Sequence, residues 1–326
     1  MQQQLRQALL DGALGLSTGL AYKNAFEASI AETQALGIVL DECGGIYTTH
    51  LRTEFDGILN AIDEAANLGK TAHIPVIISH LKCAGAGNWG RAQEVLEHLE
   101  VIEKDQMLGC DCYPYSASSS TLDLGQVTTD FDIVITWSTP HPHMSGKKLT
   151  QIAEEWQMSL LDAAQQLQPA GAIYYNMDES DMQRVLKHPL SMVGSDGLPN
   201  DPRPHPRLWG SFARVLGHFS RDLGLFPLHE AIYKMTGLSA QRYGIVKRGR
   251  ILEGYHADLV LFNPHTILDI ASFTDPIQCA QGIEYVWVNG KCAFKNQQST
   301  HAQSGIFLKR INDIRTTFQN NTEIKL

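Results

Sequence analysis

Two histidines occupy positions whose residue type and spacing suit metal chemistry. His50 ends the segment GIYTTH (45–50) and His80 ends PVIISH (75–80), and both segments have the β-branched and apolar residues typical of strands. The 30 residues between the two histidines are about the length of one βαβ unit, so we expect them side by side at one edge of a parallel sheet. Two neutral imidazoles that converge there suit a divalent metal, above all zinc. The alternative is that each histidine binds a neighbouring loop on its own.

Asp196 adds a carboxylate that could act beside such a metal. It follows a further predicted strand, and Gly194 and Gly197 around it let the backbone approach a ligand closely. A carboxylate at the same edge as two histidines can accept a proton from a metal-activated water molecule. The alternative is an aspartate that only stabilises the turn and caps the next helix.

Basic and aromatic side chains follow the same predicted strands. Lys82 lies two residues after His80. Tyr113 lies near the end of CDCYPY, and Arg207 lies in PRPHPRLWG, beyond the aspartate. A substrate carboxylate could be bound by such a lysine, or by the arginine through two parallel hydrogen bonds. Each of these side chains could instead belong to a solvated loop.

The predicted elements that position these side chains alternate between strands and helices. The predicted strands cover 45–50, 75–80, 107–115 and 191–197, and the predicted helices cover 25–42, 55–68, 92–102, 149–167 and 227–244. Such alternation is typical of βαβ units and of a parallel sheet. A longer irregular segment interrupts the pattern after residue 115. Near residue 247 the pattern changes to short alternating strands with tight turns, which indicates a small antiparallel unit.

The composition excludes several classes of protein. There are 26 Lys and Arg residues against 35 Asp and Glu, a formal net charge of −9, so nucleic acid is not expected as a partner. No segment approaches the ~18 apolar residues of a membrane span, and the N-terminus MQQQLRQALL lacks the apolar core of a signal peptide. Six cysteines are too few for a disulfide scaffold. The sequence therefore predicts a cytoplasmic protein with reduced thiols.

Several segments together resemble the N-acyl-D-amino-acid deacylases of the amidohydrolase superfamily. The matching segments include GALGLSTGLAY (12–22), YTTHLR (47–52), ISHLK (78–82), CDCYPYSASSSTL (110–122) and GSDGLPNDPRPHPRLWG (194–210). The resemblance implies an α/β fold, the (β/α)8 barrel of the TIM type, with part of a small β-sandwich. It also implies zinc-dependent hydrolysis of the amide bond of a small molecule, an N-acyl-D-amino acid, to a D-amino acid and a carboxylate.

The resemblance assigns a role to each candidate residue. His50 and His80 would be ligands of one or two Zn²⁺ ions, and Asp196 would be the acid/base that activates the attacking water. Six further residues would line the substrate pocket. Lys82, Tyr113, Ser119 and Arg207 fall in or near the part for the substrate carboxylate, and Tyr174 and Met177 line the part for the side chain.

One departure from the family pattern concerns the N-terminal region. The family carries an HxH metal motif on its first barrel strand, whereas the first histidine of this chain is His50. The alignment therefore predicts only strands 4–8 of the barrel in residues 1–247, part of the sandwich in 248–310 and a tail in 311–326. Since a barrel closes only with all its strands, we expect an N-terminally truncated chain, or a second chain that completes the barrel.

Two other functions stay open on the sequence. A cyclic-amide hydrolase of the dihydropyrimidinase or dihydroorotase kind belongs to the same superfamily, although HPRLWG and CDCYPY favour the deacylases. The second alternative is an inactive fragment or assembly subunit, which the missing HxH motif supports. The retained His50, His80 and Asp196 favour an enzyme.

Overall fold

The computed structural model describes residues 1–318. Within them the strands, numbered β1 to β12 in chain order, are Gly15–Gly19, Ile46–His50, Val76–Ile78, Leu108–Cys112, Ser118–Thr121, Ile133–Ser138, Ala170–Tyr174, Ser191–Val193, Leu259–Phe262, Ile283–Val288, Lys291–Lys295 and Gln298–Ser299. The helices α1 to α11 are Gln2–Asp11, Ile30–Cys43, Ile58–Thr71, Ala92–Glu103, Leu149–Trp156, Leu160–Leu167, Glu179–Lys187, Arg207–Arg214, Leu228–Met235, Gly237–Arg242 and Ile314–Phe318. In this part of the chain no helix combines the length and apolarity needed to cross a membrane.

Five strands form a parallel sheet in the order β1-β2-β3-β4-β8. The predicted parallel sheet is therefore confirmed, whereas the assignment of its five strands to positions 4–8 of a (β/α)8 barrel stays a prediction. Helices α2, α3 and α4 connect successive strands, so the carboxyl ends of the strands lie at one edge of the sheet. In the described part of the chain, β1 and β8 each pair with a neighbour on one side only.

Apolar residues bury both faces of this sheet. Strand β3 consists of three fully buried aliphatic residues, Val76, Ile77 and Ile78, as its continuous apolar run predicts for a parallel sheet. Helix α3 packs Ile58 and Ile62 into the same core. Each such side chain contributes about 1.5–3 kcal/mol when it leaves water, so the core holds the strand ends in fixed positions.

The ends of helix α2 follow from its local sequence. The Ser29 hydroxyl accepts a hydrogen bond from the backbone N–H of Glu32 and caps the first turn. Gly44, with φ of 67°, ends the helix in the left-handed conformation that glycine adopts without strain. The chain then turns directly into β2, and this connection fixes where that strand begins.

The segment after β4 differs from the sequence prediction. Instead of an irregular segment, the strands β5, β6 and β7 form an antiparallel sheet in the order β5-β7-β6. The predicted helix 149–167 is two helices, because Gln157 adopts φ of 52° and Ser159 caps a new helix. The predicted helix 227–244 is likewise two helices, which meet at Thr236.

The C-terminal part of the described chain contains a small antiparallel sheet. Strands β9 to β12 form it in the order β12-β11-β10-β9, within the predicted region 248–310. Of the predicted tail, residues 319–326 lie outside the described residues. Its earlier part contains α11, whose Ile314 and Phe318 are buried in a cluster with residues of the parallel sheet. Arg315 of this helix also forms an ion pair of 2.5 Å with Asp41 of α2.

Candidate active site

The two histidines meet at the carboxyl edge of the parallel sheet. His50 is the last residue of β2, and His80 follows β3 by two residues. The Nδ1 atom of His50 lies 3.0 Å from the Nε2 atom of His80. The centres of the two rings are 4.5 Å apart, and the ring planes are tilted by 70° to each other. The structure therefore brings together the two residues that the strand spacing predicts to be neighbours.

This pair fits a divalent metal ion in both geometry and charge. Two nitrogens bound to one tetrahedral zinc at about 2.0–2.1 Å would lie about 3.4 Å apart, close to the 3.0 Å between Nδ1 of His50 and Nε2 of His80. Burial lowers the pKa of His50 to about 4, although nearby Glu54 opposes the change. His50 is therefore a neutral imidazole near pH 7, the form that binds metal.

Glu54 is a buried member of the site that the sequence analysis missed. Its Oε1 atom lies 3.0 Å from Nδ1 of His80 and 2.5 Å from Nζ of Lys82. Burial alone would raise the pKa of this carboxyl, but the Lys82 ammonium and the His80 imidazole more than offset that and hold it well below its usual value. The spacing of four residues after His50 was the one signal that could have indicated Glu54.

The backbone at His80 and at Asp196 adopts the left-handed conformation. Their φ angles are 40° and 49°, a region that residues other than glycine seldom occupy. At His80 the conformation is stabilised because its N–H donates a hydrogen bond of 2.9 Å to Oδ1 of Asp111. Burial raises the pKa of this Asp111 carboxyl, a second group that the sequence analysis did not single out.

His80, Asp111 and Asp196 open on one shared cavity of about 300 Å³. The other lining residues are Ser79, Met192, Val193, Gly194, Ser239 and Tyr243. This volume lies at the lower end of the range for small-molecule sites. Asp196 and one of the two histidines, His80, therefore line the same space.

Arg207 connects Asp196 to the antiparallel insertion. Its Nη1 atom lies 2.7 Å from Oδ2 of Asp196, and its Nη2 atom donates a hydrogen bond of 3.1 Å to the carbonyl oxygen of Ser119. The guanidinium lies 4.6 Å from the ring centre of Tyr113. Although Arg207 begins helix α8, its side chain is only 1% exposed. A buried arginine of this kind presents a fixed fork to an anion.

Five of the six predicted pocket residues meet around Tyr113. Lys82 Nζ lies 5.7 Å from the ring centre of Tyr113, and the tyrosine hydroxyl lies 4.0 Å from Sδ of Met177. Arg207 lies over the same ring, and Ser119 accepts a hydrogen bond from Arg207 through its carbonyl oxygen. Tyr174 does not join them. Its hydroxyl donates to the carbonyl oxygen of Thr121 and accepts from the N–H of Asp123, and its ring packs in the core of the antiparallel sheet.

Apart from Nη1 of Arg207, which forms the ion pair with Asp196, two buried polar atoms of this group have no hydrogen-bond partner in the described part of the chain. They are Oγ of Ser119 and Nε of Arg207. Buried polar atoms are nearly always paired, so an exception needs an explanation. A bound anion with two oxygens would satisfy both.

His205 is a further residue that the sequence analysis missed. Its Nδ1 atom accepts a hydrogen bond of 3.0 Å from the N–H of Arg207, and its Nε2 atom donates to the carbonyl oxygen of Ala117. Burial, together with the charge of Arg207, lowers the pKa of His205 well below its usual value. The neutral ring thereby fixes Arg207 relative to β5, and its place in PRPHPRLWG gave no sign of this role.

Comparison with known proteins agrees with this geometry. The sequence profile of the amidohydrolase family matches residues 2–294. A D-aminoacylase of Alcaligenes xylosoxydans xylosoxydans is 45% identical over 310 residues, which cover 95% of this chain and 64% of that protein. The chain therefore spans slightly less than two thirds of the length of this curated relative.

Two solved structures are similar over the same part of the chain. One concerns the binuclear metal centre of D-aminoacylase, with one-metal activation and second-metal attenuation (TM-score 0.92, 46% identity, 95% of this chain and 65% of that chain). The other is N-acyl-D-glutamate deacylase from Bordetella bronchiseptica with zinc and a phosphonate inhibitor that mimics the tetrahedral intermediate (TM-score 0.91, 42% identity, 94% and 65%).

Proposed function

The chain belongs to the amidohydrolase family, and from that premise we propose that it catalyses zinc-dependent hydrolysis of the amide bond of N-acyl-D-amino acids. The products are a D-amino acid and a carboxylate. The observation that carries the proposal is the shared cavity of His80 and Asp196, with Arg207 paired to the same aspartate. A proposed metal ligand and a proposed proton acceptor thereby line one space, and a buried arginine pairs with that acceptor.

The metal would be held by the facing nitrogens, Nδ1 of His50 and Nε2 of His80. When bound, zinc makes water more acidic and polarises the carbonyl group of the substrate. The two histidines supply two of its ligands, and the solved D-aminoacylase with a binuclear centre supports one or two ions. The neutral state of His50 favours binding near pH 7.

Asp196 would move the proton. Its carboxylate accepts a proton from the attacking water and donates it to the nitrogen of the leaving amine as the amide bond breaks. The ion pair with Arg207 holds this carboxylate in place before the reaction starts. The left-handed backbone at Asp196 fixes the direction from which this carboxylate enters the cavity.

Arg207 and Ser119 would bind the carboxylate of the substrate. Their buried atoms without partners, Nε and Oγ, are hydrogen-bond donors available to an anion. Tyr113 and Met177 would then contact the remainder of the substrate, since they lie next to the guanidinium and to each other. Lys82 adds positive charge near the same ring.

The first experiment measures the zinc content and the deacylase activity of the purified 326-residue chain. N-acetyl-D-methionine and N-acetyl-D-glutamate are the substrates, and the corresponding L-forms are the controls. We expect about one zinc per chain and release of amine from D-forms only. A chain that binds no zinc and hydrolyses neither D-form would overturn the proposal.

We also propose that further strands pair with the outer strands of the parallel sheet. The support is the one-sided pairing of β1 and β8 in the described residues, because unpaired strand edges readily add a strand. A further segment of a longer polypeptide or a second chain could provide such strands. Sedimentation velocity over a range of concentrations tests this, since a chain that stays monomeric throughout contradicts pairing with a second copy.

The cytoplasmic location stays part of the proposal. It is supported by the six cysteines, which are all free thiols in the described structure. Thiols persist in reducing compartments. Fractionation of cells with an antibody to the chain would test this, and recovery from the medium or the membrane fraction would contradict it.

A further inference from the structure

The imidazole of His80 has a different environment at each of its two nitrogens. Nε2 faces His50 at 3.0 Å. Nδ1 faces two charged groups, Oε1 of Glu54 at 3.0 Å and Nζ of Lys82 at 2.7 Å. All three partners are largely buried, so these contacts are little weakened by solvent.

The ammonium group of Lys82 determines on which side a metal can bind. A divalent cation at Nδ1 of His80 would share its space with that positive charge, and like charges at such a distance repel strongly in a buried site. At Nε2 the neighbour is instead the neutral imidazole of His50, which adds a second ligand. The metal therefore belongs on the Nε2 side.

Binding at Nε2 requires that the proton of the neutral ring be on Nδ1. A neutral imidazole has one proton, so Nε2 can offer a lone pair only if Nδ1 carries it. Lys82 alone would favour the opposite form, because an ammonium group only donates hydrogen bonds and would pair with a bare Nδ1. Glu54 can reverse this preference, because its carboxylate oxygen lies 3.0 Å from Nδ1 and can accept a hydrogen bond from a protonated Nδ1 as well as from Lys82.

We propose that Glu54 is a positioning residue, which holds His80 in the form with a proton on Nδ1 and so directs the Nε2 lone pair to the metal. This inference rests on the proposed function. Lys82 neutralises the buried carboxylate, and Asp111 fixes the backbone of His80 from the other side. A carboxylate behind a metal-binding histidine commonly fixes the ring and its tautomer in this way.

The tautomer can be measured without a metal or a substrate. Nitrogen-15 NMR of the metal-free chain, labelled at histidine, distinguishes a protonated Nδ1 from a bare one, and a His80→Gln variant assigns the signal. We expect Nδ1 of His80 to carry the proton. A bare Nδ1 with a protonated Nε2 would overturn the inference, whether or not the chain is a deacylase.

Zinc affinity provides the second test, by competition with a chelator. Glu54→Gln keeps a hydrogen-bond acceptor but loses the charge, so we expect a loss of about 10-fold, and Glu54→Met, which removes the acceptor, a loss of about 100-fold. Glu64→Gln is the matched control, because Glu64 is also partly buried and paired, but with Arg52. The zinc affinity of the Glu64→Gln variant should equal that of the wild type.

X-ray absorption of the zinc-loaded proteins completes the test. The number of ligand atoms around zinc should be the same in the wild type and in Glu54→Gln, since Glu54 acts through His80. One ligand fewer in the variant would make Glu54 a direct ligand and overturn the inference, as would unchanged affinity in both Glu54 variants. A wild type that binds no zinc contradicts the proposed function instead, and the NMR result then decides the inference.

Discussion

The carboxylate of Asp196 and the guanidinium of Arg207 lie 2.7 Å apart, and their side chains are 38% and 1% exposed. The proposed proton acceptor and the proposed anion-binding group are thus partners before any substrate arrives. A substrate carboxylate that reaches Arg207 must share this cation with Asp196, or use the unpaired Nε that the arginine still offers. Substrate binding and the position of the proposed acid/base are therefore coupled through one side chain.

Replacing Asp196 by asparagine should abolish proton transfer while leaving the metal ligands in place. We expect Asp196→Asn to lower kcat for N-acetyl-D-methionine by about 10²–10⁴-fold, with an unchanged zinc content. Steady-state kinetics and metal analysis of the same sample check this. Asp222→Asn is the control, since that aspartate pairs with Arg221 at the surface. Equal activity of both variants would exclude Asp196 as the acid/base.

Replacing Arg207 by lysine should weaken substrate binding more than it slows the reaction. Lysine keeps the charge but loses the planar fork, and a lost hydrogen bond to a charged group costs about 1.5–3 kcal/mol. We therefore expect KM for N-acetyl-D-methionine to rise by at least about 10-fold. For the amide analogue, N-acetyl-D-methioninamide, the same substitution should raise KM much less. A similar loss for both compounds would contradict a role in carboxylate recognition, and Arg221→Lys serves as the exposed control.

The sequence predicts the metal-binding pair better than the residues that support it. His50 and His80 could be predicted because strand repeats place successive strand ends together. Glu54 could not, because its carboxylate reaches Nδ1 of His80 from a loop after the strand, where no periodicity applies. His205 could not be predicted either, because its hydrogen bonds join the N–H of Arg207 to a carbonyl group distant in sequence.

The fold was predictable where the local pattern and the tertiary structure agree. The parallel strands are apolar and lie between amphipathic helices, so their order along the chain indicates the sheet. Strand β5 has the sequence SSST and no apolar alternation, and it becomes a strand only by pairing with β7. The break at Gln157 depends on one left-handed residue within an otherwise helical pattern.

The buried histidine behind Arg207 should make the folded state sensitive to acid. The folded pKa of His205 lies well below the value of about 6.5 expected when unfolded. Below pH 6.5 the unfolded chain therefore binds more protons at this residue than the folded chain does. The free energy of unfolding consequently decreases as the pH is lowered. Between pH 7.5 and 5.5 this residue alone should lower the free energy of unfolding by roughly 1 kcal/mol.

A His205→Phe variant separates this effect from packing. Phenylalanine fills the space but leaves the N–H of Arg207 and the carbonyl of Ala117 unpaired, so it should cost about 1–3 kcal/mol at pH 7.5 and lose less stability on acidification than the wild type. Urea unfolding at both pH values measures this. Phe273→Leu, at a ring 4.9 Å from His205, should instead retain the acid sensitivity. Equal sensitivity of wild type and His205→Phe would refute the prediction.

The helix near the end of the described chain should contribute to the stability of the parallel sheet. Ile314 is 1% exposed and packs in the cluster with Ile46 and Ile77, so Ile314→Ala should cost about 2–5 kcal/mol. Ile311 is 67% exposed, and the same change there should cost no more than about 0.5 kcal/mol. Denaturant midpoints of the two variants give the comparison. Similar midpoints would mean that this helix does not pack on the sheet in solution.

At His80 and Asp196 the left-handed backbone lowers the stability of the fold, whereas the side chains are needed for the proposed chemistry. A side chain in this conformation costs about 1–2 kcal/mol relative to the ordinary one, whereas glycine adopts it freely. Glycine at either position would relax the backbone but remove a proposed metal ligand or the proposed proton acceptor. Laboratory evolution of this chain for thermal stability alone would therefore enrich glycine at these two positions. The selected proteins would be more stable but would lose the proposed activity.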